Sequence, residues 1–265
     1  MMEVTKIFED ALKYPTKDFN KLLILGVLAI VALIPMVLVY VTIFLSGGFN
    51  IQSLSVVVIA LGILTALFLI LLEIIYGGYG LSITRKTIAL EEEIPDFDWI
   101  KNIIDGLKVL ILGIIYSIIP AIVAGITGFF VIGPNIVMGS FQPSPEMFTS
   151  LISSFLVVGI VWIILAIIFQ LFYLVSVARL AETDSLVDAL NIINIFDKIG
   201  EIGWGNYIIW VILAGIILFV ISAIMSVISI IPIVGSVIVL LLGTPYILMF
   251  SSRALGLIYN ESKNN

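Results

Sequence analysis

Long apolar runs alternate with short charged segments along the whole chain. A membrane-crossing helix needs about 20 mostly apolar residues to span a hydrocarbon core of about 30 Å. Six runs meet that length and predict transmembrane helices at residues 22–45, 54–82, 109–133, 150–178, 206–230 and 233–253. Charged residues or Gly, Pro and Ser bound each run. The pattern therefore predicts an all-α, polytopic membrane protein that forms one integral domain over residues 1–265.

The basic residues lie only in alternate connecting segments. All 12 Lys and Arg residues fall in segments 1–21, 83–108, 179–205 and 254–265, or at the adjoining end of a run. Cytoplasmic loops of membrane proteins carry the excess of basic residues. We therefore expect a multi-pass protein of the cytoplasmic membrane with both termini in the cytoplasm. The uncharged link around Pro232 is the weakest boundary, because two helices there resemble one long apolar run.

One structural unit recurs three times along the chain: an amphipathic segment, an outgoing helix, a short loop and a returning helix that ends in Arg. The segments contain Asp10-Ala-Leu-Lys, Asp105-Gly-Leu-Lys and Asp188-Ala-Leu-Asn. A Tyr precedes the final Arg of each returning helix, in the pairs Tyr79/Arg85, Tyr173/Arg179 and Tyr246/Arg253. The first two outgoing helices also start alike, at Lys21–Gly26 and Lys108–Gly113. The sequence thus predicts three hairpins as parallel repeats, although apolar helices of similar composition also align by chance.

The connecting segments are amphipathic. In the first, Val4, Ile7, Phe8 and Ala11 recur at helical spacing between charged residues. We expect short amphipathic helices that lie at the inner membrane surface. They would serve either as a surface that binds lipid or a partner, or as an elbow that leads the chain into the membrane, which is the simpler interpretation.

Composition excludes most enzyme classes. Hydrophobic residues make up 62% of the chain and charged residues 11%, whereas soluble domains have about 45–50% and about 25%. The chain contains no Cys and no His, which removes typical zinc and haem ligands and the bases of Ser-His or Cys-His catalysis. The net charge of -6 does not favour nucleic acid binding. We therefore expect no enzyme, catalytic residue, metal or cofactor; the expected partners are the lipid bilayer and a membrane protein or a second copy.

Glu73 is the single ionisable residue inside a predicted span away from its ends. It precedes Arg85 by 12 residues, or about 18 Å along a helix, which places it near mid-bilayer. A charge there costs about 2.5–3.5 kcal/mol, so Glu73 is expected to face the bundle. Tyr76, Gly77 and Gly80 follow at helical spacing and are expected to share its face.

Two interpretations of Glu73 stay open. In the first, it belongs to a polar cavity for a proton or cation, extended by Gln170, Tyr173 and Thr244, and the protein is a small transporter or channel. In the second, a neutral carboxyl makes one interhelical hydrogen bond and the glycines allow close packing. The second is favoured, because a coupled transporter is expected to bury more than one acid. The protein is then a structural or interaction component of the membrane.

Two blocks carry a family resemblance. They are Asp10-Ala-Leu-Lys-Tyr-Pro and Ile94-Pro-Asp-Phe-Asp-Trp, the latter leading into Asp105-Gly-Leu-Lys. They resemble the archaeal, largely methanogen, membrane proteins classified as domain of unknown function 4013. The resemblance implies an uncharacterised integral protein of an archaeal cell membrane. It carries over no catalytic residue.

Overall fold

A computed structural model describes residues 4–46, 56–138 and 145–261, with side chains described outside 132–138 and 145–147. These ranges contain helices and turns but no β-strand. Their α-helices are α1 (Val4–Lys13), α2 (Phe19–Leu45), α3 (Val56–Ile88), α4 (Trp99–Met138), α5 (Pro145–Thr183), α6 (Leu186–Leu190), α7 (Ile192–Ile202), α8 (Trp204–Ile228), α9 (Val234–Ile238) and α10 (Thr244–Glu261). A 3₁₀-helix, Tyr14–Lys17, precedes α2, and a π-helical segment, Val239–Gly243, joins α9 to α10.

The all-α, six-span fold class is confirmed in the described part of the chain. Six stretches are long and apolar enough to cross a membrane: Phe19–Leu45, Val56–Ile88, Trp99–Val131, Phe148–Thr183, Trp204–Ile228 and Val234–Glu261. Several extend past the predicted apolar runs, because a helix continues into charged sequence where no breaker stops it. Residues 1–3 and 262–265 of the predicted terminal segments, and 54–55 of the second span, lie outside the described residues.

The three hairpins form a ring around their returning helices. The returning helices α3, α5 and α10 pack against one another. Among the outgoing helices, α2 contacts α3 and the π–α10 stretch, and α4 contacts α5 and α3. The third, α8, contacts α10, and its Tyr207 hydroxyl donates to the Leu171 carbonyl of α5 at 2.6 Å. Each outgoing helix thus lies beside its own returning helix and that of the preceding hairpin.

Two outgoing helices begin at matching N-caps. The Asp18 carboxylate accepts hydrogen bonds from the amides of Asn20 and Lys21 at the start of α2, both at 3.1 Å. The Asp98 carboxylate accepts from the Lys101 amide at the start of α4, also at 3.1 Å. An N-cap carboxylate satisfies amides that have no partner within the helix. The shared N-cap geometry makes the first turn of α2 structurally equivalent to the first turn of α4.

Close backbone contacts fix the same register. A Cβ on Gly26 would overlap the carbonyl of Leu241, and a Cβ on Gly106 would overlap the carbonyl of Ile74. Each glycine follows its capping Asp by eight residues. The structural repeat therefore aligns the glycines at 26 and 106, and the expected alignment of residues 21–26 with 108–113 is wrong. Apolar composition produced that similarity, whereas caps and small residues that let helices approach determine the contacts.

The amphipathic segments differ among the three hairpins. The first forms the separate helix α1, and the third forms α6 and α7. In the second, the corresponding residues are the first turns of the continuous helix α4. Helix α7 buries Ile195, Ile199 and Ile202 against the bundle, while Ile193 and Phe196 stay exposed.

Every ion pair among the described residues lies at one end of the bundle, here called the charged end, where α3 and α5 terminate and α4 begins. Pairs such as Arg85–Asp105 and Arg253–Asp10 join different hairpins. Charged side chains thus collect beyond the apolar part of the spans, as expected for a protein embedded in lipid.

We expect Gly106→Ala to lower the free energy of unfolding by about 1–3 kcal/mol, because α3 and α4 must move apart to admit a methyl group. Gly125→Ala, on the same helix, is the control, since no described atom beyond the adjacent backbone of α4 lies within 4 Å of a Cβ placed there. Unfolding in mixed micelles measures both. Equal stability of the two variants would contradict the close α3–α4 contact.

Candidate functional site

A crevice opens on the side of the bundle beside the contact of Gly106 with Ile74. Its part nearer the charged end, about 220 Å³, lies between the face of α4, Glu73 of α3 and Tyr173 of α5. Its farther part, about 530 Å³, lies between α4 and α5. The two parts share Gly113, Ser117 and Tyr173, and together they are called the lateral crevice.

The lateral crevice brings together three of the five predicted site residues. Glu73 and Tyr173 line its nearer part, and Gln170 and Tyr173 line its farther part. Ser117 contributes a hydroxyl, and Tyr116 and Trp162 contribute aromatic rings, none of which the sequence singled out. Only the helical spacing of Gly113 and Ser117 on α4 could have indicated this wall.

Glu73 is exposed and makes no hydrogen bond or ion pair with any residue that the structure describes. It does not face the packed interior, contrary to expectation. Helices α3 and α4 touch at Gly78 and Gly106, and Glu73 lies beside that contact at the edge of the crevice, which spacing on α3 alone does not reveal. Its carboxylate therefore stands at the mouth of the crevice, at the depth of the bilayer.

Tyr76 and Thr244 lie elsewhere in the bundle. The Tyr76 hydroxyl donates to the Leu25 carbonyl of α2 at 2.8 Å. The Thr244 hydroxyl donates to the Val239 carbonyl at 3.2 Å, within the π-helical turn. Gly80, expected on the face of Glu73, packs toward Ser252 of α10. These groups satisfy backbone or packing demands and do not reach the crevice.

Glu73 departs from the pattern of the internal repeat. Counting back six residues from the Tyr of each returning helix gives Glu73, Ile167 and Leu240. Two of the three equivalent positions are apolar, so the hairpin fold does not require an acid there. An acid at this depth is costly and the hairpin fold does not require it, which makes Glu73 a candidate functional residue.

Tyr173 departs from the repeat as well. Its counterparts tie a returning helix to the next hairpin: the Tyr79 hydroxyl donates to the Pro95 carbonyl at 3.0 Å. The Tyr246 hydroxyl likewise donates to the Leu12 carbonyl at 2.8 Å. Within the described ranges Tyr173 makes no such bond, and its ring stands edge-on to Tyr116 at 6.1 Å between centroids. Glu73 and Tyr173, the two residues that depart from the repeat, thus line the same crevice.

The charged end closes the bundle beside the crevice. The Arg85 guanidinium donates to the buried Asp105 carboxylate at 2.8 Å and to Asp184 at 3.3 Å. Lys108 donates to Asp184 at 2.7 Å, and this hydrogen bond is the main cause of the lowered pKa of Asp184. Ion pairs therefore join the ends of α3, α4 and α5.

Arg253 performs the same task for the third hairpin. Its guanidinium donates to Asp10 at 2.7 Å and to the Glu91 carbonyl at 2.8 Å, and it lies 4.9 Å from the ring centre of Tyr14. Burial raises the pKa of Tyr14 to about 12, so the phenol stays neutral. The third repeated arginine, Arg179, pairs with Glu182 on its own helix at 3.0 Å.

The sequence found the three arginines but not their partners. The Asp of the repeated tetrapeptide was the available signal, since Asp10 and Asp105 each bind the Arg of the preceding hairpin in the ring. Asp188 instead lies at the N-terminus of α6, where its amide donates to Ser185. A group of three or more His, Cys, Asp or Glu side chains suited to a metal is absent from the described ranges.

One known protein family matches a stretch of the chain that includes the crevice. The family described as "Protein of unknown function (DUF4013)" matches residues 61–230. No curated protein and no solved structure matches the chain. The matched stretch includes Glu73, Asp105 and all residues that line the lateral crevice. Asp10 and Arg253 fall outside it.

Proposed function

The chain belongs to the DUF4013 family of proteins of unknown function, and we propose that it is an interaction component of the membrane that receives a second membrane-embedded polypeptide in the lateral crevice. One observation supports this above all: Glu73 and Tyr173 both line the crevice without a hydrogen bond to the described part of the chain. A polar side chain at bilayer depth gains stability by pairing with another polar group. A partner that brings such a group would fill the crevice.

We further propose that the protein resides in an archaeal cell membrane with its charged end and both termini in the cytoplasm. The support for the orientation is that the 12 basic residues all lie in the connecting segments of one side or at the adjoining helix ends. The support for the archaeal source is the resemblance of the blocks at 10–15 and 94–108. The proposal includes no catalytic activity and no nucleic acid partner.

A small transporter or channel that uses Glu73 is the second candidate, because an acid in an open crevice at bilayer depth also suits a proton or cation. Glu73 is, however, the single acid of the described spans that lies away from the charged end. The crevice also opens sideways along α4. Both features favour docking over passage across the membrane.

A photo-reactive amino acid placed at Ser117, inside the crevice, tests the docking proposal in native membranes. We expect a discrete cross-linked polypeptide that disappears when Glu73→Leu is added. The same label at Ile122, which is 55% exposed on the opposite face of α4, is the control. A product that forms equally from both positions, or that ignores Glu73→Leu, would contradict docking. Loss of proton or ion flux in proteoliposomes of a folded Glu73→Gln variant would instead establish the transporter.

Folding of the Glu73 variants is a separate prediction. We expect Glu73→Leu to change the free energy of unfolding by less than about 0.5 kcal/mol, because the side chain is exposed and its repeat counterparts are apolar. The change is measured by SDS titration in mixed micelles. A loss of more than about 1 kcal/mol would show that Glu73 makes a structural hydrogen bond, and its role as a docking group would be withdrawn.

A further inference from the structure

We infer that the group that meets Glu73 is a cation, an ammonium or guanidinium that a partner's membrane helix carries to bilayer depth. This inference rests on the proposed function and names the chemistry by which the partner is recognised. Three features support it. Glu73 makes no hydrogen bond to the described part of the chain, the chain has no basic residue in the interior of an apolar run, and an aromatic ring lines the crevice beside Glu73.

The chain cannot supply the cation itself. None of its 12 basic residues lies in the interior of an apolar run. The basic residues nearest to the crevice are engaged at the charged end: Arg85 binds Asp105, and Lys108 binds Asp184. Intramembrane acids characteristically pair with an oppositely charged group or line a polar cavity. An ionised Glu73 would therefore take its counter-charge from outside the chain.

The wall of the crevice beside Glu73 includes an aromatic ring, which suits a cation. Tyr173 lines the nearer part of the crevice together with Glu73, whereas Tyr116 lines the farther part, and aromatic faces attract ammonium and guanidinium groups. The Tyr116 hydroxyl is already engaged with Ser176 at 2.6 Å. The Ser117 hydroxyl donates to the Ile114 carbonyl at 2.8 Å. The Tyr173 hydroxyl lines the same part of the crevice as Glu73, and the Glu73 carboxyl offers two acceptor oxygens there to a group that enters from the membrane.

Access and size also fit a side chain from a neighbouring helix. The nearer part of the crevice has a volume of about 220 Å³. Its rim is apolar, since Ile114 beside it is 52% exposed. A helix lying against α4 would remain in hydrocarbon while one long basic side chain reaches the carboxylate. The same geometry disfavours a helix that offers an acid, because like charges repel at that depth.

The test uses the full-length protein in nanodiscs with three synthetic transmembrane peptides. All three are Leu-Ala helices of about 20 residues and differ only in a central Lys, Leu or Glu. Energy transfer from the labelled peptide to a label on the protein reports association. We expect the Lys peptide to bind about tenfold or more tightly than the Leu peptide. Glu73→Gln is expected to abolish that preference, whereas Glu92→Gln, which changes an exposed acid of the charged end, leaves it intact.

A second arm uses tetraphenylphosphonium, a membrane-permeant cation that carries no helix. Glu73-dependent binding of this ion, together with no preference for the Lys peptide, would overturn the helix-borne source. Equal binding of the Lys and Leu peptides would overturn the cation while leaving the docking proposal in place. If no peptide binds and the label at Ser117 also captures nothing, the docking proposal itself fails. Preference for the Lys peptide that Glu73→Gln removes supports the inference.

Discussion

Asp10→Asn lowers the free energy of unfolding by about 3–5 kcal/mol, because it leaves a buried guanidinium without its counter-charge. The side chain of Arg253 is 5% exposed and that of Asp10 is 35% exposed. The more deeply buried partner suffers most when the pair is broken, since water cannot replace the lost charge. The remaining contacts of Arg253, to the Glu91 carbonyl, the Thr87 hydroxyl and the Tyr14 ring, supply no full negative charge. Unfolding in mixed micelles measures the loss.

The reciprocal variant tests this asymmetry. Arg253→Met leaves Asp10 partly hydrated and is expected to cost less than Asp10→Asn. The double variant is expected to be more stable than Asp10→Asn alone, because it removes the orphaned guanidinium. Lys13→Met, which breaks the exposed pair with Glu9, is the control and is expected to cause no measurable loss. Equal losses for Asp10→Asn and Lys13→Met would show that the Arg253 pair does not hold α1 to α10.

The sequence predicted the six spans because the length of an apolar run is set directly by bilayer thickness. It also predicted an amphipathic helix in segment 83–108, but not that this helix continues into the third span, so that α4 starts at Trp99, well before its apolar run. Hydropathy ends a span at the first charged residues, so it does not show whether the helix continues past them. The N-cap at Asp98 was the usable signal, since an Asp followed by amphipathic periodicity is typical of a helix start.

The candidate site was predicted in part. Glu73 was conspicuous because a charge in an apolar run is rare. Its surroundings depend on the close contact of α3 with α4 at Gly106 and on the crevice beside that contact. Tyr76 was assigned to the site from spacing on one helix, yet it faces α2, because a helix surrounded by neighbours presents several buried faces. Spacing predicts which residues share a face, but the partner of that face is a tertiary property.

The ion pairs that join the hairpins could not be read from local sequence. Arg253 and Asp10 are separated by 243 positions, and no periodic pattern relates residues that far apart. The internal repeat contained the missing information, because Arg85 binds an Asp of the following hairpin in the same way. A ring of three repeats must close from the last unit to the first. Extending the Arg85–Asp105 pairing to the junction between the third hairpin and the first would have predicted the Arg253–Asp10 pair.

Arg85→Met is expected to lower the free energy of unfolding by about 3 kcal/mol, because its buried partner Asp105 would lose the bonded charge. The Asp105 side chain is 3% exposed and that of Arg85 is 25% exposed. In this pair the carboxylate is the more buried partner, whereas in the Arg253–Asp10 pair the guanidinium is. Removal of Arg85 is therefore expected to lower stability more than removal of Asp105. Lys108 lies 3.7 Å from Asp105 and compensates in part, which sets the estimate at the lower end of the range for broken buried pairs.

Asp105→Leu removes the buried partner and leaves the exposed one. Arg85 then keeps Asp184 as a second acceptor at 3.3 Å and is partly hydrated. We therefore expect Asp105→Leu to cost less than Arg85→Met. Lys86→Met, one residue along α3 and paired with the exposed Glu91, is the matched control for loss of a positive charge. Unfolding in mixed micelles ranks the three variants. If Lys86→Met proved as damaging as Arg85→Met, net charge at the end of α3 would explain the loss, and the buried Arg85–Asp105 pair would not hold α3 to α4.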